Sequence, residues 1–366
     1  MYRVPFLDVR ASNMEVETEI IEALSHVLAG GRYIGGETVT KFENSFADFV
    51  DADFCVGVGN GLDAILIALE ALGIGSGDEV IVPAHTFIAT WLAVTRCGAI
   101  PVPVEPETHG YNIDPNKVQD AITSRTKAII IVHLYGIPAD IKEIHKIANT
   151  HGLKVIEDAA QAHGAISQGK RIGSHSDAVT WSFYPGKNLG AIGDAGAITT
   201  NSRNLAAEMR QIGNYGSEKK YEHQKIGLNS RLDPIQAAVL SVKLKRLETW
   251  NNHRKKIAKY YLSNIDEKIL PWKNLINPDE SSWHIFPIEI DSRDEMIRYL
   301  ENNGIESLIH YPKPPHKQDA YLEDFKSQHF PITELKCSKL ASVPIGPHLD
   351  MESVEYVTSK LNGFVK

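Results

Sequence analysis

Between Phe54 and Thr200 the chain alternates short apolar runs with stretches whose apolar residues recur at helical spacing. The runs are FCVGV, EVIVP, IPVPV, KAIIIV, LKVIE, AVTWSF and GAITT. Runs this short and β-rich, separated by helical segments, predict an α/β layer with a largely parallel sheet of about seven strands. Ahead of them, Ile20 to Leu28 has helical spacing, GGRYIGG at 30 to 36 interrupts it, and Val39 to Phe49 predicts a second amphipathic helix. A helical arm therefore precedes the sheet. After it come a helix over Arg203 to Ile212, a charged, turn-like stretch from Ser217 to Lys225 that reads as a solvated loop, and a long helix from Pro234 to about Leu262. Pro234 suits the first turn of that helix. Beyond it, the strand-like HIFPIEI, a helix over Arg293 to Asn302, the loop HYPKPPH and a terminal helix near Met351 to Leu361 predict a small α+β unit. The expected division is a large domain over 1–250, arm included, and a small domain over 251–366.

Sites in sheets of this kind gather at the carboxyl ends of the strands, and the residues there carry the candidate chemistry. Lys187 follows Pro185-Gly186 just past the AVTWSF run, where a turn can present its amine to a ligand. Asp158 ends the short strand Val155-Ile156, pointing into the fold, and a buried acid needs a cationic partner. A lysine amine and a carboxylate are what pyridoxal phosphate requires, one for covalent attachment and one against the ring nitrogen. A charge pair at about 4 Å with an effective dielectric of about 20 is worth roughly 4 kcal/mol, about three pKa units, enough to keep that nitrogen protonated. On spacing alone, a helix-capping Asp158 and an ordinary loop lysine stand equal to this reading. Gly59-Asn60-Gly61 opens into a helix from about Leu62; it reads either as a glycine turn or as a phosphate cradle of free amides. It lacks the third glycine of a dinucleotide motif. Phe87 and His85 share the second strand's rim. Phe87 by itself reads as core more readily than as a stacking ring, and His163 reads equally as a structural histidine or as a neighbour of the ring.

Composition narrows the class. With 366 residues and 43% hydrophobic content the chain can bury a large core. A net charge of −8 with no basic block argues against nucleic acid as the main partner. Cys55, Cys97 and Cys337 are odd in number and far apart, which fits neither a disulfide framework nor a metal site, and no histidine spacing suggests a metal. The amino terminus carries acids where a signal peptide is apolar, and no apolar run approaches membrane-spanning length. A cytoplasmic protein without a membrane anchor is expected.

Taken in order, GNGLDA, VPAHTFIAT, VHLYG, VIEDAAQAHGA, SFYPGKNLGAIGDAGA, NYGSEKKY, NSRLDPIQAA and HYPKPPH resemble the DegT/StrS family of nucleotide-sugar aminotransferases over nearly the whole chain. The resemblance implies the type I aminotransferase fold and pyridoxal 5′-phosphate as cofactor. It is nearest to enzymes that aminate C3 of a dTDP-3-keto-6-deoxyhexose with L-glutamate as donor, on the way to O-antigen or other surface polysaccharide sugars. By the same resemblance Lys187 holds the cofactor and carries protons, Asp158 pairs with its ring nitrogen, Phe87 stacks on it and Gln161 contacts its ring oxygen. Asn60, Gly61 and Ser182 take the phosphate. Asn229 reaches that phosphate from the neighbouring subunit, which makes a homodimer with shared sites the working unit. Tyr184, Lys220, His310 and Tyr311 are the candidate contacts to the nucleotide sugar. Alternatives are C4 amination, dehydration and a catalytically silent regulatory protein of the same fold; dehydratases carry histidine where Lys187 stands. His85 departs from the family, where asparagine is common, with no consequence readable from sequence.

Overall fold

The computed structural model describes residues 2–365. Its centre is a seven-stranded sheet made of β1 (Phe54–Val58), β2 (Glu79–Pro83), β3 (Ile100–Val104), β4 (Thr126–Val132), β5 (Lys154–Asp158), β6 (Ala178–Ser182) and β7 (Gly196–Thr200). In space the order is β1-β7-β6-β5-β4-β2-β3. Only β7 runs against the others: it pairs antiparallel with both β1 and β6, while the remaining neighbours are parallel. All seven apolar runs of the sequence are these strands. They read as continuous apolar segments because a mostly parallel sheet is covered on both faces.

Alternation along each strand divides the core in two. Ile81, Ile129, Ile131, Val155 and Ala197 face one side, where Phe42 and Phe46 of the arm helix Glu37–Phe49 and Leu240 and Leu247 of the long helix pack. Val80, Val82, Ala128, Ile130, Ile156 and Ile198 face the other, under Ala64 to Leu69 of helix Gly61–Ala71 and Trp91 and Val94 of helix Ile88–Arg96. A third cluster holds the C-terminal part together: Trp272, Trp283, Phe286, Met296 and Leu361 pack with Val132, Leu134 and Tyr135 from the end of β4. Its sheet is the antiparallel pair β8 (Phe286–Glu289) and β9 (Leu340–Val343). The helix Pro234–Asn264 begins with Pro in its first turn and supplies Ala237, Leu240 and Leu247 to the first core and Ile257, Ala258 and Tyr261 to the third.

The Ser217 to Lys225 stretch is not simply a loop. Ser217–Lys219 and Glu222–His223 pair as a short antiparallel hairpin, closed by an ion pair from Lys219 to Glu222. Its residues past Ser217 are exposed, so the side chains carry no apolar alternation that would mark strands in the sequence.

Alternation also sorts the two adjacent acids at the end of β5. Asp158 turns toward the carboxyl edge, whereas Glu157 is fully buried and accepts from His133 Nε2 at 2.8 Å. The Ala139 amide donates to His133 Nδ1, which fixes the proton on Nε2. Burial, the largest single influence, pushes the Glu157 carboxyl up; the bonds from His133 and Ser176 and the nearby imidazoles of His133 and His175 together outweigh it, and the net direction is down. His133→Leu strips a buried carboxylate of its donor and is expected to cost about 3 kcal/mol in urea unfolding at neutral pH; a loss below about 0.5 kcal/mol would mean that Glu157 is carried by other partners.

Candidate active site

A cavity of about 700 Å³ opens at the carboxyl edge of the sheet. The strands that reach it contribute residues at or just past their ends, where the backbone leaves the sheet with unpaired groups. From β1 come Asn60 and Gly61. The Asn60 side chain caps the helix by accepting the Asp63 amide at 2.9 Å, which leaves the Gly61 and Leu62 amides without a partner inside the helix at the cavity wall. Gly61 is required by close approach: a Cβ there would lie 2.7 Å from the Cβ of Ser182, the last residue of β6. The helix start, the missing side chain and the Ser182 hydroxyl form one anion-sized cradle.

Asp158 is 7% exposed and held from two sides, by the Thr90 hydroxyl at 2.9 Å and the Ala160 amide at 3.2 Å. Burial raises its pKa from the usual carboxylate value, and the two bonds and Lys187 counter only part of that. Lys187 is half-buried and lines the same cavity, after a turn in which its amide donates to Tyr184 C=O at 2.8 Å. Desolvation lowers its amine to about 8, with Asp158 pulling the other way. The loop carrying it is anchored by Asn188, whose Nδ2 donates to Asn251 Oδ1 at 3.0 Å and to Ser282 C=O at 2.8 Å, and by the buried Lys243 ammonium on Gly190 C=O at 2.7 Å.

Phe87 corrects the reading of that residue as core. It is 54% exposed, lines the cavity, and stands 5.4 Å from the Tyr311 ring at 39°. As the residue that caps helix Ile88–Arg96 it is held off the sheet, so its ring faces the cavity instead of packing. Gln161 accepts the Tyr135 amide through Oε1 and donates to the Tyr311 hydroxyl at 3.0 Å. Tyr184 is exposed at the rim, and His310 and Tyr311 close the far side. Burial, with a further push from Lys187, lowers His310 to about 4, so this imidazole is neutral at pH 7 and donates or accepts hydrogen bonds without adding a cation.

Ten of the twelve residues singled out from the sequence line this one cavity: Asn60, Gly61, Phe87, Asp158, Gln161, Ser182, Tyr184, Lys187, His310 and Tyr311. Lys220 and Asn229 do not. Lys220 sits exposed at the tip of the hairpin with its ammonium 4.9 Å from the Tyr221 ring, and Asn229 is exposed where it bridges Asn214. His163 is fully buried between Trp181 and Phe183, at 5.3 and 5.6 Å, and is no part of the cavity lining. Thr90, Asn188 and Lys243 are supports that the sequence reading missed; Thr90 lies within VPAHTFIAT and could have been noticed as a hydroxyl one helical turn from Phe87. Among the described residues no three His, Cys, Asp or Glu side chains gather as a metal site, and no helix is long and apolar enough to cross a membrane.

The arrangement offers an amine partly neutral near pH 7, a carboxylate for a cationic ring nitrogen, an exposed aromatic face and an anion cradle, all in one desolvated space. The chain is similar over its whole length to known proteins. The chain is 50% identical over 361 residues, 99% of each chain, to the dTDP-3-amino-3,6-dideoxy-alpha-D-galactopyranose transaminase of Aneurinibacillus thermoaerophilus. It is 46% identical over 366 residues, 98% of each, to the erythromycin biosynthesis sensory transduction protein EryC1 of Saccharopolyspora erythraea. The crystal structure of DesV from S. venezuelae in complex with a ketimine intermediate superposes with a TM-score of 0.97 at 44% identity, covering 100% of this chain and 99% of that one. The model of the DegT/DnrJ/EryC1/StrS aminotransferase family matches residues 14–362, and the chain belongs to that family.

Proposed function

We propose that the protein is a pyridoxal-phosphate-dependent aminotransferase that converts a dTDP-3-keto-6-deoxyhexose to the 3-amino-3,6-dideoxyhexose with L-glutamate as donor, acting as a cytoplasmic homodimer. The observation that carries the reading is the desolvated Lys187 amine sharing a cavity with the buried, doubly bonded Asp158. The cofactor fits the residues present: the Gly61–Ser182 cradle suits its phosphate, the exposed Phe87 face its ring and Asp158 its ring nitrogen. When bound, pyridoxal phosphate supplies an aldehyde carbon that receives nitrogen and a ring that accepts electrons.

The chain's own part is to hold and move protons. With its pKa at about 8, about a tenth of the Lys187 amine is neutral at pH 7, so Nζ can take the proton from the donor's Cα and return one to the sugar carbon. Thr90 and Ala160 direct two donors at Asp158, which offset part of the burial that raises its pKa, and the carboxylate matters most when charge develops on the ring. His310 and Tyr311 form the wall that meets the sugar nucleotide. The hairpin tip and Asn229 are exposed in one chain, which suits a second subunit bringing them to its partner's cavity. The presence of Lys187 disfavours a dehydratase, and the built cavity disfavours a silent regulatory role.

Lys187→Ala is expected to abolish turnover of dTDP-keto sugar while the fold persists by circular dichroism; near-native transamination by the variant would end the central assignment. Reconstitution of apo-protein with pyridoxal phosphate should speed up through an apparent pKa near 8, the lowered value of Lys187. Because Asp158 raises that value, Asp158→Asn should move the midpoint down. A midpoint at the ordinary lysine value would show that the amine is solvated.

Sharing of sites is tested by mixing Lys187→Ala with Asn229→Asp chains. Only the heterodimer has one intact site in two, so random exchange should recover about a quarter of the wild-type rate. No recovery after exchange is verified by mass would place Asn229 outside the partner's site.

A further inference from the structure

His85 lies two residues before Phe87 on the same loop, yet it turns away from the cavity and is 1% exposed. Its Nε2 is 3.1 Å from the Tyr135 hydroxyl and its Nδ1 is 3.8 Å from Cys337 Sγ. The Tyr135 hydroxyl also bonds the His310 carbonyl. A carbonyl can only accept, so the Tyr135 proton goes to His310, and the Tyr135 oxygen is left to accept from His85. That places the imidazole proton on Nε2 and makes Nδ1 the acceptor for the Cys337 thiol. The thiol keeps its proton, since burial pushes it up to about 12, and the imidazole stays neutral, since burial and Lys336 lower it to about 3. Every proton in the chain Cys337, His85, Tyr135, His310 therefore has one direction, and none of the four changes charge near neutrality.

Tyr135 grips the far wall of the cavity at a second point. Its amide donates to Gln161, and Gln161 donates to the Tyr311 hydroxyl at 3.0 Å. His310 is tied from its other side by Ser342 Oγ at 2.9 Å. We infer that His85 is a positioning residue: acting through Tyr135, it sets where the His310–Tyr311 wall stands relative to Phe87, and so fixes the fit of the sugar nucleotide. The loop after β2 then gauges both sides of the cavity, Phe87 directly and the opposite wall through His85. The chain also bridges two parts of the fold, because His85 and Tyr135 leave the large sheet while Cys337 and His310 belong to the C-terminal part. An imidazole spans this gap with a donor on one side and an acceptor on the other. The inference rests on the proposed sugar-nucleotide reading, and its test keeps the two apart.

His85→Phe preserves bulk and removes both bonding nitrogens, whereas His85→Gln keeps a donor. The two, with Tyr135→Phe and the His85→Phe/Tyr135→Phe double variant, would be assayed in single half-reactions and by calorimetric binding of a dTDP-keto sugar. In His85→Phe, binding of the sugar nucleotide is expected to weaken about tenfold and its KM to rise in step, with the glutamate half-reaction within about twofold of wild type. His85→Gln should recover most of that binding. The double variant should be no worse than Tyr135→Phe alone, because His85 acts through that hydroxyl. Unchanged sugar binding in His85→Phe, equal damage to both half-reactions, or additive losses in the double variant would overturn the inference. Failure of the wild-type protein to bind any dTDP-keto sugar while it still reacts with glutamate would instead sink the substrate assignment, and this inference with it.

Discussion

A lysine amine is useful to this protein only if water is kept from it, and the surrounding structure is arranged to that end. Desolvation favours the neutral amine, while the nearby Asp158 carboxylate favours the charged one; the balance leaves Nζ at about 8, where both forms are accessible. Holding a half-buried amine in that environment requires a loop that does not relax toward solvent. Asn188 supplies this by bonding two other segments at once, and Lys243 by reaching from the long helix to the same loop. Both anchors are buried, so each bond they make is costly to leave unmade.

The strands could be read directly because most are flanked on both faces, which makes each a short, mostly apolar run. Val155-Ile156-Glu157-Asp158 also shows what periodicity hides. Two adjacent acids end β5, and only the pleat decides that one faces the cavity and the other a buried histidine. Asp158 lines the cavity, as a carboxylate at a strand end can, although its spacing alone fitted a helix cap equally well. Thr90, Asn188 and Lys243 were not legible, since a hydroxyl, an amide and a helix lysine acquire their meaning from segments tens of residues away. Phe87 taken by itself misled by type, although the family resemblance put it beside the cofactor: an aromatic next to a buried strand is usually core, and the helix start that it caps turns the ring outward. The neutrality of His310 was not legible either, since it comes from burial by segments far away in the chain.

Lys220 and Asn229 mark the limit of reading one chain. Their motifs are plain in the sequence, but they lie on an exposed hairpin and an exposed bridge, away from the cavity of their own chain. Hydrophobic patterning says which face of an element is covered by its own fold. It is silent about what an exposed face of that kind meets.

The helix Pro234–Asn264 has 31 residues and is shared by two cores, one under the sheet and one beneath β8 and β9. Two lobes skewered on one rod cannot swing about a loop, as hinged enzymes do; parting them would mean bending the rod or tearing Val132, Leu134 and Tyr135 from the aromatic cluster they enter. The shared rod and that cluster therefore resist any change in the width of the cavity they flank. A socket that resists closing gains little grip from a moving jaw, which leaves the shape of its walls to tell one ligand from another.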